Sequence, residues 1–516
     1  MDFLGRMIAR ELFSNRASFT YTERRFQVSE VRHSQLVIDG SSLFGRTELL
    51  TAVHNITKEN VVKVLSEVLP THTKNSLEID YLYHYMRGKQ PILKREKKVR
   101  PEICNRIVEN HAAEIAQFTS SYFLGEPVTY VHRGDRQNAS AEITRLNDYM
   151  FYEDKASHDK NMATWMAICG VGYRMILPDK STVLEPDDAP FEIDTPDPRF
   201  TFVVYHSGFG HRRVMGVRQI LYKRADGTKK MKCCGYTKTH YFEVEDNKVL
   251  RWEAHSLGDI PIFEYCLNMV RMGSFEPAIP ILNAINTITS NRVDGIEQFV
   301  QSFLKFKNCE IDKDGMDKLN ELGAIVIKSI QGVMDADVDV VTQELNQTQT
   351  QTIVDYLYDQ VLVICGMPTT TKGGASTSDT GAAVFLRDGW SQCEARAKDT
   401  EDIFKATEKQ FLRLALRIIR DMGGEFNLNL SEVECKFTRR QHDNLLTKAQ
   451  SLTQMLEAGL HPSVAIATCG LFNDPMDVAE QSKEFLRKWD YKEPVPAGSV
   501  PTSKGDPSEK EGNNGE

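Results

Sequence analysis

Few residues in this sequence are spaced for chemistry. Asp335, Asp337 and Asp339 alternate in D-A-D-V-D, so a strand there would set its carboxylates on one side. Metal-dependent phosphoryl chemistry uses such groups. No further acidic motif supports a site, and the solvated face of an edge strand is the simpler reading, with metal binding left open. The acidic run from Glu185 to Asp188, continued by Asp194 and Asp197, reads as a loop rather than a ligand cluster. His206, His211, His240 and His255 lack H-E-x-x-H spacing and read as structural or surface residues. No G-x-S-x-G elbow and no catalytic cysteine signature occurs. The chain therefore reads as a non-enzyme without a cofactor.

One stretch carries a stronger signal. Gly366 to Gly381 reads G-M-P-T-T-T-K-G-G-A-S-T-S-D-T-G, a polar loop whose single lysine, Lys372, sits beside Gly373 and Gly374. Paired glycines let the backbone move and approach a ligand closely. The composition is that of a phosphate-binding loop, yet the Walker pattern G-x-x-x-x-G-K-[ST] is absent. The expectation is a loop that touches or gates something without hydrolysing it. Thr342 to Thr352, T-Q-E-L-N-Q-T-Q-T-Q-T, carries only Glu344 as a charge. It is either a linker or frayed helix start, or a helix segment facing a channel or a neighbouring subunit. The basic cluster Lys94 to Arg100 could contact phosphates but reads more simply as a solvated connection, and Arg439–Arg440 is a weaker signal still.

These stretches need elements to position them. Val354, Leu357, Val361 and Ile364 repeat as one helix face before the loop, and Thr380 to Met422 predicts one or two long helices after it. Upstream, the pattern predicts helices over Thr57–Leu69, stopped by Pro70, then over Leu77–Met86 and Pro101–Ser121. Another helix, Asp159–Ala167, leads into a strand, Gly172–Leu177. Alternating sequence follows, with strands at Phe200–Tyr205, Val217–Arg224, His240–Glu245 and Lys248–Glu253, and hairpin turns at A-D-G-T and E-D-N-K. A helix from Ala278 to about Lys305 precedes short strands at Gly323–Ser329 and Asp337–Thr342. A helical pair fills Thr438–Trp489 around His461-Pro462, and the residues after about Pro494 should be disordered.

Bulk properties narrow the class. At 516 residues the chain is long enough for roughly three or four packed units. A net charge of −9 argues against a basic nucleic-acid coat but not against a protein that lets DNA slide past. Ten cysteines without C-x-x-C spacing read as reduced, mostly buried thiols in a cytoplasmic setting. No signal peptide or membrane span is expected.

The order of the parts resembles the portal proteins of tailed double-stranded DNA bacteriophages, of the long-tailed siphovirus type. The resemblance rests on Y-M-R-G-K-Q-P-I-L (Tyr85–Leu93), on N-R-I-V-E-N-H-A-A-E-I-A-Q-F-T-S-S-Y-F-L-G-E-P-V-T-Y (Asn105–Tyr130), on Pro261–Asn286, and on C-G-M-P-T-T-T-K-G-G-A-S-T-S-D-T-G-A-A (Cys365–Ala383). Together it covers about Ile56 to Arg420, and the order of the stretches is more specific than any one of them. Asn291–Phe299 departs from the family pattern by carrying Arg292 and Gly295, a point where the helix could break.

The resemblance implies a mainly helical α+β portal fold. Its parts would be an N-terminal segment (1–55), a β-rich wing (56–275) and a two-helix stem (276–305 and 343–365). A small α/β clip (306–342), a tunnel loop (366–381), a long wing helix (382–433), a helical crown (434–490) and a disordered tail (491–516) would complete it. It also implies a ring of twelve chains at one vertex of the capsid, assembled in the bacterial host cytoplasm, through which the genome enters and leaves. Thr371, Lys372, Gly373, Gly374, Ser376 and Thr377 would face DNA in the loop, and Thr348 and Gln351 would line the tunnel wall. Implied partners are a terminase packaging ATPase, scaffold and major capsid proteins, and a head–tail connector. Twelve chains at −9 each would repel and centre the duplex. The competing readings are a head–tail adaptor or capsid component without DNA passage, and a DNA-packaging enzyme.

Overall fold

The first long helix, α1, runs unbroken from Val61 to Met86 with Pro70 inside it. Proline removes one intrahelical hydrogen bond and crowds the carbonyl four residues back, a cost of about 3 kcal/mol. Pro70 lies on the exposed side, while Val61, Val64, Leu65, Val68 and Leu69 before it and Ile79, Leu82 and Tyr85 after it are all buried. Burial on both sides of the proline outweighs the lost bond, at about 1.5–3 kcal/mol per large apolar side chain. The expected stop at Pro70 is therefore corrected to one continuous helix.

The computed structural model describes residues 45–98, 100–133, 139–179, 188–223, 227, 229–300, 303–307, 337–341, 347–369, 389–422, 426–439, 445–472, 478, 479, 481 and 482. Two compact units emerge, one ending at Asn444 and one starting at Leu445. In the first, β1 (Leu50–Thr51) precedes α1, and α2 (His111–Phe123), β2 (Thr129–His132), α3 (Ala139–Tyr152) and α4 (Lys155–Cys169) follow it. Strands β3 (Val171–Pro178), β4 (Phe191–Asp194), β5 (Thr201–His206), β6 (Arg213–Lys223), β7 (Lys229–Tyr236), β8 (His240–Glu245), β9 (Lys248–Ala254) and β10 (Ile262–Cys266) come next.

The six-stranded sheet has the order β1-β5-β6-β7-β8-β9, and β10-β3-β4 forms a second sheet. The first half of α1 packs its valines and leucines on Phe202, Val204, Met215, Val217 and Phe242 of the larger sheet. Both expected hairpins form, with Asp246 and Asn247 in the left-handed region at the β8–β9 turn. The fold is thus a mixture of helix and sheet.

Beyond the sheets lie α5 (Ile279–Val300), β11 (Phe303–Lys307), β12 (Asp337–Val341), α6 (Gln347–Cys365), α7 (Trp390–Asp421) and β13 (Val433–Lys436). Helix α5 passes through Arg292 and Gly295 without a break but ends at Val300, and residues 303–305 are strand rather than helix. The expected strand Gly323–Ser329 lies outside the described residues. In the second unit α8 (Leu445–Glu457) and α9 (Pro462–Cys469) flank the turn, and the His461 imidazole accepts from the Ser463 amide as the cap of α9. The nine described cysteines are free thiols.

A buried ionic cluster joins the elements of the first unit. Arg174 on β3 donates to Glu408 on α7 at 2.7 Å and also pairs with Asp159 on α4. Lys155, one turn before Asp159, reaches Asp159 at 2.6 Å and Glu408 at 3.2 Å. The hydroxyls of Tyr130 on β2 and Tyr265 on β10 each donate to Glu408 at 2.6 Å. Burial alone would raise the Glu408 carboxyl, but Arg174, Lys155 and the two hydroxyls together pull it down to about 2. Burial draws Lys155 down to about 8 against the pull of Glu408.

Removing one member leaves buried charge uncompensated, at about 3–5 kcal/mol. Glu408→Gln should lower stability by about that amount, measured by urea unfolding at pH 7. Because Glu408 titrates below its ordinary value of 4.5, its stabilisation is complete above that pH and is lost as pH falls toward 2. The gap between wild type and variant should therefore close over that window.

Candidate functional site

Helices α5 and α6 form an out-and-back pair. The ladder between β11 and β12 joins them, with Phe303 opposite Val341 and Lys307 opposite Asp337. Leu282 and Ile285 on α5 share a core with Val354, Val361 and Leu362 on α6. Of the apolar face expected on α6, Val354 and Val361 are buried and Leu357 is half-buried, but Ile364 is exposed and Leu362 and Cys365 replace it. The helix turns slightly past the repeat by its last turn, which brings the next positions inward.

Not all polar positions of α5 face outward. Asn286, Ser290 and Asp294, spaced at i, i+4 and i+8, are buried. They accept hydrogen bonds from alternate backbone amides of an extended segment: Glu109 to Asn286 at 2.8 Å, Ile107 to Ser290 at 3.0 Å and Asn105 to Asp294 at 2.7 Å. This explains why α2 starts at His111 rather than Pro101. Residues 105–109 keep their amides for α5, in the period-two pattern of an extended chain. Burial tends to raise the Asp294 carboxyl, but the Asn105 amide and side chain, Lys97 and Arg95 lower it overall.

The basic cluster is partly spent on the same residue. Arg95 and Lys97 reach Asp294 at 2.9 and 3.1 Å. A polar stripe inside an apolar helix, matched by a nearby basic run, was the available signal for this docking. Arg439, the other weak basic signal, pairs with Glu394 at 2.7 Å and with Glu401, both on α7.

Thr348 and Gln351 lie on the first two turns of α6, and both are exposed. Gln351 bridges the pair: its carbonyl accepts from the Arg292 guanidinium of α5, and its amide donates to Asp355 at 2.6 Å. Arg292, which departs from the family pattern, thus ties the two helices together. Thr371, Lys372, Gly373, Gly374, Ser376 and Thr377 lie outside the described residues, as does Asp335. Asp337 and Asp339 sit opposite Lys307 and Lys305 in the ladder. Among the described residues no group of His, Cys, Asp and Glu is arranged to hold a metal, and no helix is long and apolar enough to cross a membrane.

The described residues on either side of the lysine-bearing stretch are held. Gly366 ends α6 with φ +70°, and the Met367 amide bonds back to the Leu362 carbonyl at 2.8 Å. A side chain at Gly366 would strike Arg396 on α7, which in turn donates to the Ile364 carbonyl at 3.0 Å. The Cys393 thiol donates to the Gly366 carbonyl at 2.9 Å. Where the described residues resume, Gly389 leads into α7 and lies against Pro368. A cavity of about 680 Å³ adjoins this anchor, lined by Phe118, Tyr122, Met269, Ile364, Cys393 and Ile403 among others.

Comparison with known proteins matches residues 65–488 to the model of a family described as phage portal protein, SPP1 Gp6-like. No curated protein matches the chain. Among solved structures, a chain in the neck of an empty GTA particle, computed with C6 symmetry, aligns at TM-score 0.43 and 12% identity, covering 70% of this chain and 90% of that one. A chain in the virion of a native gene transfer agent (GTA) particle aligns at TM-score 0.40 and 12% identity, covering 70% and 89%. By the extent of the family match, this chain belongs to the SPP1 Gp6-like phage portal proteins.

Proposed function

We propose that the chain closes into a ring of about twelve copies at one capsid vertex and forms the channel for packaging and ejecting double-stranded DNA. The observation that carries this is the out-and-back pair α5–α6, which starts at Ile279, turns at the β11–β12 ladder and returns to the anchored start of the lysine-bearing stretch at Gly366. In this reading residues 56–275 and 382–433 are the wing, α5 and α6 the stem, 306–342 the clip and 434–490 the crown. The ring docks a packaging ATPase and later a head–tail connector, and meets scaffold and major capsid proteins at its edge. Translocation energy comes from the ATPase, since the loop lacks the Walker lysine pattern.

Thr348 and Gln351 then face the channel, and the loop around Lys372 makes brief phosphate contacts. One lysine per subunit allows contact without the tight retention that many cations would cause by counterion release. Exposure of Thr348 and Gln351 on α6 supports their place in the wall.

Imaging and native mass measurement of the purified chain should find a ring of about twelve with a central hole. A monomer, or a closed low-order oligomer, would refute the channel. Thr348→Arg is the cleaner probe of the wall, because an arginine at 351 would meet Arg292. It adds about twelve positive charges to the ring and should strengthen non-specific DNA binding, steepen its salt dependence and slow packaging. Unchanged affinity and packaging rate would remove Thr348 from the lining. Lys372→Ala should keep the ring but alter DNA packaging or retention, read as packaged genome per particle. Loss of the ring would instead make the loop a packing element.

A further inference from the structure

At one end of the six-stranded sheet three connections converge: the segment after β1, the β5–β6 hairpin and the β7–β8 hairpin. Between them lies a cavity of about 520 Å³, lined among others by His54, His206, Phe209, Arg212 and Lys238. Among the described residues no carboxylate lines it, in a chain where Asp and Glu outnumber Lys and Arg by 72 to 63. Arg213, also in the lining, is occupied by Asp259 and by the carbonyls of Ile260 and Ile262. Arg212 and Lys238, from different hairpins, have no carboxylate partner among the described residues.

The hairpin bearing Phe209 is built to hold its ring outward. The Gly208 amide donates to the His206 imidazole at 3.0 Å, and the His54 and His206 rings meet edge to face at 5.2 Å. Gly210 takes φ +86°, a turn that a side chain would strain. His211 stacks on Tyr205 and reaches Glu48 at 2.7 Å, fixing the hairpin's return. Phe209 is left fully exposed at the cavity.

We propose that this cavity binds a nucleotide unit, its phosphate held by Arg212 and Lys238 and its base stacked on Phe209. Guanidinium and ammonium groups suit phosphate oxygens, Arg by a planar fork and Lys as a point charge. A bare aromatic ring offers a face to any base, and a base is free to stack there only when it is unpaired. The ligand is therefore a free nucleotide or an unpaired nucleotide of a DNA strand. The site goes beyond the channel reading and does not rest on it.

The test uses the purified full chain with AMP, an eight-residue thymidine oligonucleotide and pyrophosphate as probes. Wild type should bind AMP, the oligonucleotide or both; binding of the oligonucleotide alone marks a strand as the source, and equal binding of AMP marks the free nucleotide. Arg212→Ala with Lys238→Ala should weaken the bound nucleotide probe and pyrophosphate at least tenfold. Phe209→Ala should weaken the nucleotide probe about tenfold while leaving pyrophosphate binding unchanged. All three positions are in exposed turns, so unfolding temperature should stay constant and confirm that the variants fold. Failure of wild type to bind either nucleotide probe, or a double variant that binds as wild type, overturns the site. Tighter binding of a glutamate octapeptide than of either nucleotide probe overturns it in favour of an acidic protein partner. A ring that binds neither nucleotide probe would sink this site and leave the channel reading standing.

Discussion

The pairing of Arg174 with Glu408 is the constraint on which the body of this protein depends. Two charges out of water are tolerable when further hydrogen bonds and ion pairs take up most of their remaining lone pairs and protons. Here those partners come from α4, β2 and β10 as well as from β3 and α7. None of these elements can be absent when the cluster closes. The two ends of the pair are 234 positions apart in sequence, with α5, the ladder and α6 between them. The out-and-back helices are thus an insertion whose two ends are fixed by a body that closes around Glu408. The same cluster holds α7 over the sheet, with Arg174 also lying 4.7 Å from the centre of the Phe411 ring.

Much of the fold was legible because local chemistry and final packing agreed. Strand β8 begins and ends where its alternation does, and Asp246–Asn247 makes the turn that its residue types favour. Agreement failed where long-range packing overrode a local signal. Pro70 reads as a stop, yet the helix persists because both of its halves are buried. Pro101 to Asn110 reads as the start of a helix, yet the amides of Asn105, Ile107 and Glu109 are taken by α5. Such contacts join residues nearly two hundred positions apart, beyond what periodicity can register.

The candidate site was legible unevenly for a related reason. A polar side chain on a helix has two destinations, solvent or a buried partner, and spacing alone does not separate them. Thr348 went to the surface, whereas Asn286, Ser290 and Asp294 went inside. Family resemblance identified the protein because it drew on the order of several stretches at once. Gly366 stood out in sequence only as the first residue of a polar stretch, whereas in the folded chain it packs closely against Arg396.

The anchoring of the loop has a mechanical meaning. Cys393 and Arg396 hold the end of α6, and Glu408 lies on the same helix, roughly three to four turns farther along. A pull on the end of α6 would pass to α7 through Cys393 and Arg396. The Arg174–Glu408 cluster would act as the footing that bears this load, while the Glu394–Arg439 pair braces the near end. Strain at Gly366 would then reach the sheets through α7 as through a single strut.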